Sequence, residues 1–156
     1  MTPTPPIPPV PIVRLDADLA LPEYAHHGDA ALDLRARIDV TVDPRGGRVL
    51  VPTGIAIALP EGYAGFVLPR SGHALAHGVG LANAPGLIDS AYRGEIKIIL
   101  LNTDPHEPFT VRRGDRIAQL VVQRVEHVTW LPVERLDGPD VGGQDRGGGF
   151  GHTGRS

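Results

Sequence analysis

Between residues 12 and 136 the apolar residues recur with period two, in short runs that proline, glycine or a charged turn cuts before a helix can form. Alternation runs through Ala31-Leu32-Asp33-Leu34-Arg35-Ala36 and Ile38-Asp39-Val40-Thr41-Val42, the pattern of half-buried strands. Val49-Leu50-Val51, Gly54-Ile55-Ala56-Ile57-Ala58-Leu59 and Gly65-Phe66-Val67-Leu68 follow. Glu95-Ile96-Lys97-Ile98-Ile99-Leu100-Leu101-Asn102 is β-branched and apolar enough to read as a buried strand. Phe109-Thr110-Val111, Ile117-Ala118-Gln119-Leu120-Val121-Val122 and Val128-Thr129-Trp130-Leu131 complete the set. Only residues 71–77 carry a turn or two of helix. Short strands at a spacing of roughly 8–12 residues predict an all-β, jelly-roll-like sandwich or barrel with one short helix.

The two ends differ from this body. Residues 1–11 are a proline-rich arm, expected to be disordered, with a ligand for a proline-binding module as the lesser alternative. Residues 137–156 carry Gly138, Gly142, Gly143, Gly147, Gly148, Gly149, Gly151 and Gly154, too little side chain for a core, and are expected to form a flexible tail. The chain has 156 residues, a net charge of −3 and no cysteine. One domain fits that length, and the charge balance gives no reason to expect nucleic acid or membrane as a partner. Disulfides and thiolate chemistry are excluded. No apolar run is long enough to span a bilayer and the first residues lack a signal-peptide core, so a cytoplasmic protein is expected.

Chemistry concentrates in three segments. In Asn83-Ala84-Pro85-Gly86-Leu87-Ile88-Asp89-Ser90-Ala91-Tyr92-Arg93-Gly94, Pro85-Gly86 is turn chemistry, with the glycine suited to positive φ. Asp89 and Tyr92 follow on a hairpin leading into the buried strand. A carboxylate beside an aromatic suits a held water or sugar hydroxyl; the plainer alternative is an Asp capping its own turn. Pro69-Arg70-Ser71-Gly72 opens the helix with Ser71 near the N-cap and Arg70 alongside, which suits phosphate or merely a cap. In Arg146-Gly147-Gly148-Gly149-Phe150-Gly151-His152-Thr153-Gly154, glycine amides can converge on an anion and Phe150 can stack on a base; a single Arg-Gly-Gly copy leaves RNA binding a weak rival.

Together these segments resemble the homotrimeric dUTPases over residues 12–154. Five motifs fall in order: Gly28 to Leu34, Pro69 to Gly72, Asn83 to Gly94, Arg113 to Leu120, and Arg146 to Gly154. The resemblance implies a dUTPase-like β domain at 12–136 and hydrolysis of dUTP to dUMP and pyrophosphate by water attacking the α-phosphate. It also implies Mg2+ held by the triphosphate, and a homotrimer whose active sites are shared and closed by the tail. Asp89 matches the acid that activates the water and bonds the 3′-hydroxyl. Tyr92 matches the ring under the deoxyribose. Asn83, with Gly86, Ile88 and Lys97 among the substrate-binding positions, matches the uracil-reading hairpin. Arg70, Ser71 and Gly72 match the phosphate cradle, and Gln119 matches a side chain holding phosphates and water. Asp33 matches an acid linked to the metal's water shell. Arg146 matches the γ-phosphate contact and Phe150 the uracil stack, with Gly151 and His152 beside them.

The pattern is broken at His152, where Ser is usual, at His73, where an aliphatic residue is usual, and by the insertion Val141-Gly142-Gly143-Gln144-Asp145. None of the seven His, His26-His27 included, shows metal-ligand spacing. Arg113-Gly114-Asp115 is the fourth motif's turn and needs no adhesive role. dCTP deaminases share this fold, but they carry a catalytic Glu where Ile99 stands here. A non-catalytic nucleotide sensor is the remaining alternative, and pyrophosphate release from dUTP separates it from an enzyme.

Overall fold

The computed structural model describes residues 9–136. These form β1 (Ile12–Arg14), β2 (Leu32–Arg35), β3 (Val40–Val42), β4 (Gly47–Pro52), β5 (Ile55–Ile57), β6 (Tyr63–Leu68), α1 (Ser71–His77), β7 (Val79–Leu81), β8 (Gly86–Ile88), β9 (Lys97–Asn102), β10 (Phe109–Val111) and β11 (Arg116–Arg124). A four-stranded sheet in the order β2-β11-β6-β8 and a three-stranded sheet β4-β9-β7 are joined by the pairs β1-β5 and β10-β3. Every ladder is antiparallel. The all-β, jelly-roll-like architecture is therefore the one its short strands require. No helix among the described residues is long and apolar enough to cross a membrane.

Alternation makes the core. Leu34, Ile98, Leu100 and Ile117 are almost wholly buried and belong to one apolar cluster; each contributes on the order of 1.5–3 kcal/mol by burial. The buried polar residue Asn102 meets its needs locally. Its Nδ2 donates to the Val42 and Glu107 carbonyls (3.0 and 2.9 Å), and its Oδ1 accepts from the Asp104 N–H at 2.9 Å. Of the proline-rich arm, the last residues are described: Val10 packs against the core and the Pro11 carbonyl accepts the Ala58 N–H at 2.9 Å.

Three expectations change. The segment 83–102 is no hairpin, because β8 pairs with β6 whereas β9 pairs with β4 and β7; it carries the chain from one sheet to the other. Gly86 does not adopt positive φ. A Cβ there would sit 3.3 Å from the Val67 Cβ, so close approach to β6, and not turn geometry, favours glycine. Residues 128–131 form no strand: Val128, Trp130 and Leu131 are exposed and, among the described residues, find no ladder partner. They belong to a second unit, His127–Ser156, and a strand without a partner leaves its backbone groups unpaired.

Candidate active site

A cleft of about 300 Å³ opens where the chain changes sheets, lined by Asn83, Gly86, Ile88, Tyr92 and Lys97 among others. Asp89 follows directly on β8 and is exposed. Its turn is closed by the backbone, Tyr92 N–H donating to the Asp89 carbonyl at 3.0 Å, and by Arg93, whose guanidinium donates to the carbonyls of Ser90 and Tyr92. The Asp89 carboxylate takes no part. Among the described residues it caps nothing and has no ion pair, so the plain turn-capping alternative fails.

Tyr92 lies across Gly94, where a Cβ would come within 2.7 Å of its Cζ. Its hydroxyl donates to the Glu95 carbonyl at 2.9 Å. Behind this loop runs a chain of charge: Glu95 meets Arg37 at 3.4 Å, Arg37 meets Asp16 at 3.6 Å, and Asp16 meets Arg113 at 2.7 Å. Desolvation works against the Asp16 carboxylate, but the hydrogen bond from Arg113, the Asp18 N–H and the two cations outweigh it and hold its pKa below the ordinary value.

A second cleft, of about 380 Å³, gathers Asp33, Arg70 and Gln119 with Asp29 and Arg116. Register explains the meeting: Gln119 on β11 stands opposite Asp33 on β2. Arg70 Nε lies 3.3 Å from Asp33 Oδ1, and Arg116 Nη1 lies 3.1 Å from Asp33 Oδ2. The first is an ion pair without hydrogen-bond alignment, since Asp33 Oδ1 and Arg70 Nε are both buried and lack hydrogen-bond partners. Arg70 Nη1 also donates to the Arg116 carbonyl at 3.1 Å, and His73 Nε2 meets the same oxygen at 2.8 Å. His73, where the resemblance led to the expectation of an aliphatic residue, thus serves as polar packing. The cleft sets two guanidinium groups against two carboxylates, Asp33 and Asp29; what it offers an anion is the guanidinium N–H groups not spent on Asp33 and the Arg116 carbonyl.

Ser71 and Gly72 are exposed at the start of α1 and line neither cleft. Arg70, not Ser71, is the N-cap, and no side chain caps the helix, so first-turn N–H groups stay available. Arg116 is the residue whose role the alternation concealed. Strict period two would put it on the opposite face from Gln119, but a bulge between Arg116 and Ala118 adds one residue and re-aims it. Only an unexpected charge beside an apolar strand hinted at this.

The clefts share no lining residue: one takes residues of β8 and the other of β2, the two edge strands of the four-stranded sheet. Arg146, Phe150, Gly151 and His152 lie outside the described residues. No group of three or more metal-ligating side chains occurs among the described ones.

The dUTPase family model matches residues 17–154. The deoxyuridine 5′-triphosphate nucleotidohydrolase of Thermobifida fusca is 57% identical over 145 residues, covering 93% of this chain and 78% of its own length. That of Corynebacterium glutamicum is 54% identical over 145 residues, covering 93% and 94%. Among solved structures, the Staphylococcus bacteriophage 80alpha dUTPase with dUPNHPP superimposes with a TM-score of 0.82 at 24% identity, over 94% of this chain and 99% of that one. A mutant dUTPase of the S. aureus phage phi11, described for its coordination of a structural Mg(II) ion, gives 0.75 at 22%, over 82% and 98%.

Proposed function

The chain belongs to the dUTPase family, and on that premise we propose how its two clefts divide the hydrolysis of dUTP to dUMP and pyrophosphate. A water attacks the α-phosphorus, the bond to the α–β bridging oxygen breaks, and pyrophosphate leaves. Asp89 orients this water and takes its proton. The observation that carries the assignment is that Asp89 is exposed directly after Ile88, which lines the cleft, and its carboxylate has no partner among the described residues. Tyr92 stands against the deoxyribose and leaves no room for a 2′-hydroxyl. Asn83 and the backbone at Gly86 and Ile88 read the uracil edge, and Lys97 stands at the rim. A site of paired polar groups rejects a wrong base strongly, because the mismatch leaves buried groups unsatisfied.

The second cleft takes the triphosphate: Arg70, with Ser71 and Gly72, cradles it, and Gln119 helps hold phosphate and water. Direct metal ligation by these side chains is not supported, since Asp33 is already engaged by two arginines. Its buried Oδ1, without a hydrogen-bond partner, does suit a water of Mg2+ carried in by the triphosphate. Bound there, the ion neutralises phosphate charge. Arg146, Phe150, Gly151 and His152 are assigned to the γ-phosphate and the base as the tail closes.

The resemblance to homotrimeric dUTPases is what assigns the two clefts to different copies of the chain, in a homotrimer with shared sites. In the cytoplasm, the activity lowers the dUTP available to DNA synthesis and supplies dUMP for thymidylate formation. Pyrophosphate and dUMP release, measured with dUTP, dCTP, dTTP and UTP in parallel, tests the reading. Turnover confined to dUTP is expected. Deamination of dCTP would contradict it, as would tight dUTP binding without turnover. Ile99 lines the Asp89-side cleft where a deaminase needs its Glu.

A further inference from the structure

Glu95 belongs to none of the chemistry above, yet it grips the molecule at two ends. Its Oε1 accepts from the Gly54 N–H at 2.9 Å and from Arg37 Nη1 at 3.4 Å. Arg37 is itself fixed, through Nη2 to the Leu15 carbonyl at 3.0 Å and through Nε to Asp16 at 3.6 Å. The Glu95 backbone carbonyl accepts the Tyr92 hydroxyl at 2.9 Å. The peptide bearing that carbonyl is held on its other side, where Ile96 N–H donates to Ile55 at 2.9 Å. Side chain and peptide together fix the acceptor's direction.

As a device for stability this arrangement is weak. The Arg37 side chain is 37% exposed, and ion pairs at such exposed sites contribute little to stability. As a device for geometry it is well placed. Tyr92 is 45% exposed and its ring lies across the bare backbone of Gly94. Among the described residues its hydroxyl has one partner, the Glu95 carbonyl. A wall that excludes a 2′-hydroxyl discriminates only while it stands still, because a ring displaced by a rotamer change admits the larger sugar.

We propose that Glu95, anchored by Arg37 and the Gly54 amide, is a positioning residue that immobilises the Tyr92 ring and so sets the preference for deoxyribose over ribose. The proposal rests on the assignment of Tyr92 to the sugar.

The test is kcat and KM on dUTP and UTP, with Tm, for Glu95→Ala, Glu95→Gln, Arg37→Met, Tyr92→Phe and the double variant Glu95→Ala/Tyr92→Phe. Glu95→Ala and Tyr92→Phe should each lower the dUTP-over-UTP ratio of kcat/KM about fivefold, the scale of one net hydrogen bond. The double variant should fall no further than either single one: the Glu95 side chain acts on the ring only by aiming the carbonyl that the Tyr92 hydroxyl uses, so without the hydroxyl its loss has nothing left to misplace. Glu95→Gln keeps the acceptor for Gly54 and should retain most of the discrimination; Arg37→Met should fall between. Additive losses, or a lowered Tm with the ratio intact, overturn the proposal and leave Glu95 as structural support. Tyr92→Ala separates the two levels. If it discriminates as the parent does, the sugar assignment itself fails; if it relaxes while Glu95→Ala does not, only the positioning role falls.

Discussion

Asp33 and Asp89 anchor the two clefts in opposite circumstances. Asp33 is 17% exposed in its side chain and flanked by Arg70 and Arg116; Asp89 is exposed, with its turn closed by other groups. A carboxylate whose oxygens face two guanidinium groups is a template for those cations. A carboxylate with all its lone pairs free can accept from water and ligand. The same side chain thus takes two jobs according to what surrounds it, and removing each should damage the enzyme differently.

The largest effect is expected from Asp89→Asn, which should lower kcat on dUTP by at least about 10²-fold, the scale of a lost positioned base, with KM nearly constant. Asp33→Asn should instead raise KM, with kcat falling roughly tenfold or less, because Arg70 and Arg116 lose the template that aims them. Steady-state kinetics on both variants decides the matter. A larger kcat loss for Asp33→Asn at unchanged KM would reverse the assignment.

The separation of the clefts can be broken more directly. Asp89→Asn spoils one half-site and Arg70→Ala the other, so each variant alone should be inactive. In a three-membered ring in which each site joins the Asp89 side of one chain to the Arg70 side of the next, any mixed trimer contains one intact site. Random equal mixing gives about three quarters mixed rings with one working site in three, hence roughly one quarter of parental activity. Co-refolding followed by size-exclusion chromatography and assay checks this. Mixed trimers that form but stay inactive would mean that both clefts of one chain serve the same site.

How far this arrangement could be read from the chain depended on the kind of information involved. Helix α1 was legible to the residue, since Pro69 precedes it and Gly78 ends it in the left-handed region with φ 62°. β2, β4 and β11 were legible because alternation reports which face is buried. Partner choice was not. A fully apolar run such as 98–101 fits between any two strands, so nothing in it announced that β8 and β9 lie in different sheets. The bulge that swings Arg116 toward Asp33 was also hidden, because it resets the very period being read. Of the candidate site, the motifs supplied the residue types, and register supplied the Asp33–Gln119 meeting. Residues 128–131 misled for the opposite reason: β propensity was present and a ladder partner was not.

Glycine sharpens the comparison at smaller scale. Gly86 is pressed against Val67, a core residue only 5% exposed, with 3.3 Å between the Val67 Cβ and any added Cβ. Gly86→Ala should therefore cost on the order of 1–3 kcal/mol by overpacking and raise KM as the cleft shifts. Gly72 has nothing within 4 Å of an added Cβ, so Gly72→Ala should leave stability within about 0.5 kcal/mol. Any loss of activity in that variant then comes from the ligand's close approach to the backbone. Thermal melts paired with kinetics separate the cases, and a destabilised Gly72→Ala would show that α1 is more constrained than its surroundings indicate.

The smallest effect concerns acid. Asp16, behind the Asp89-side cleft, and Asp104, after β9, both have carboxyl pKa values below the ordinary 3.8. Asp16 is held down against desolvation by Arg113 and its neighbours; Asp104 is held down chiefly by the N–H groups of Glu107 and His106. In each case the folded chain binds protons less readily than the unfolded one, so their stabilisation is complete above about pH 4. It is lost as the pH falls through the folded-state value. Asp16→Asn and Asp104→Asn should each flatten the fall in Tm below about pH 4 and leave the Tm profile from pH 6 to 8 parallel to that of the parent. Both carboxylates stay ionised throughout the neutral range, so neither can give the enzyme a pH optimum there. Melting curves from pH 7 down to 3 provide the check. An acid limb as steep in Asp16→Asn as in the parent would show that the Arg113–Asp16–Arg37 chain contributes nothing to acid stability, leaving its work on the Glu95 loop purely geometric.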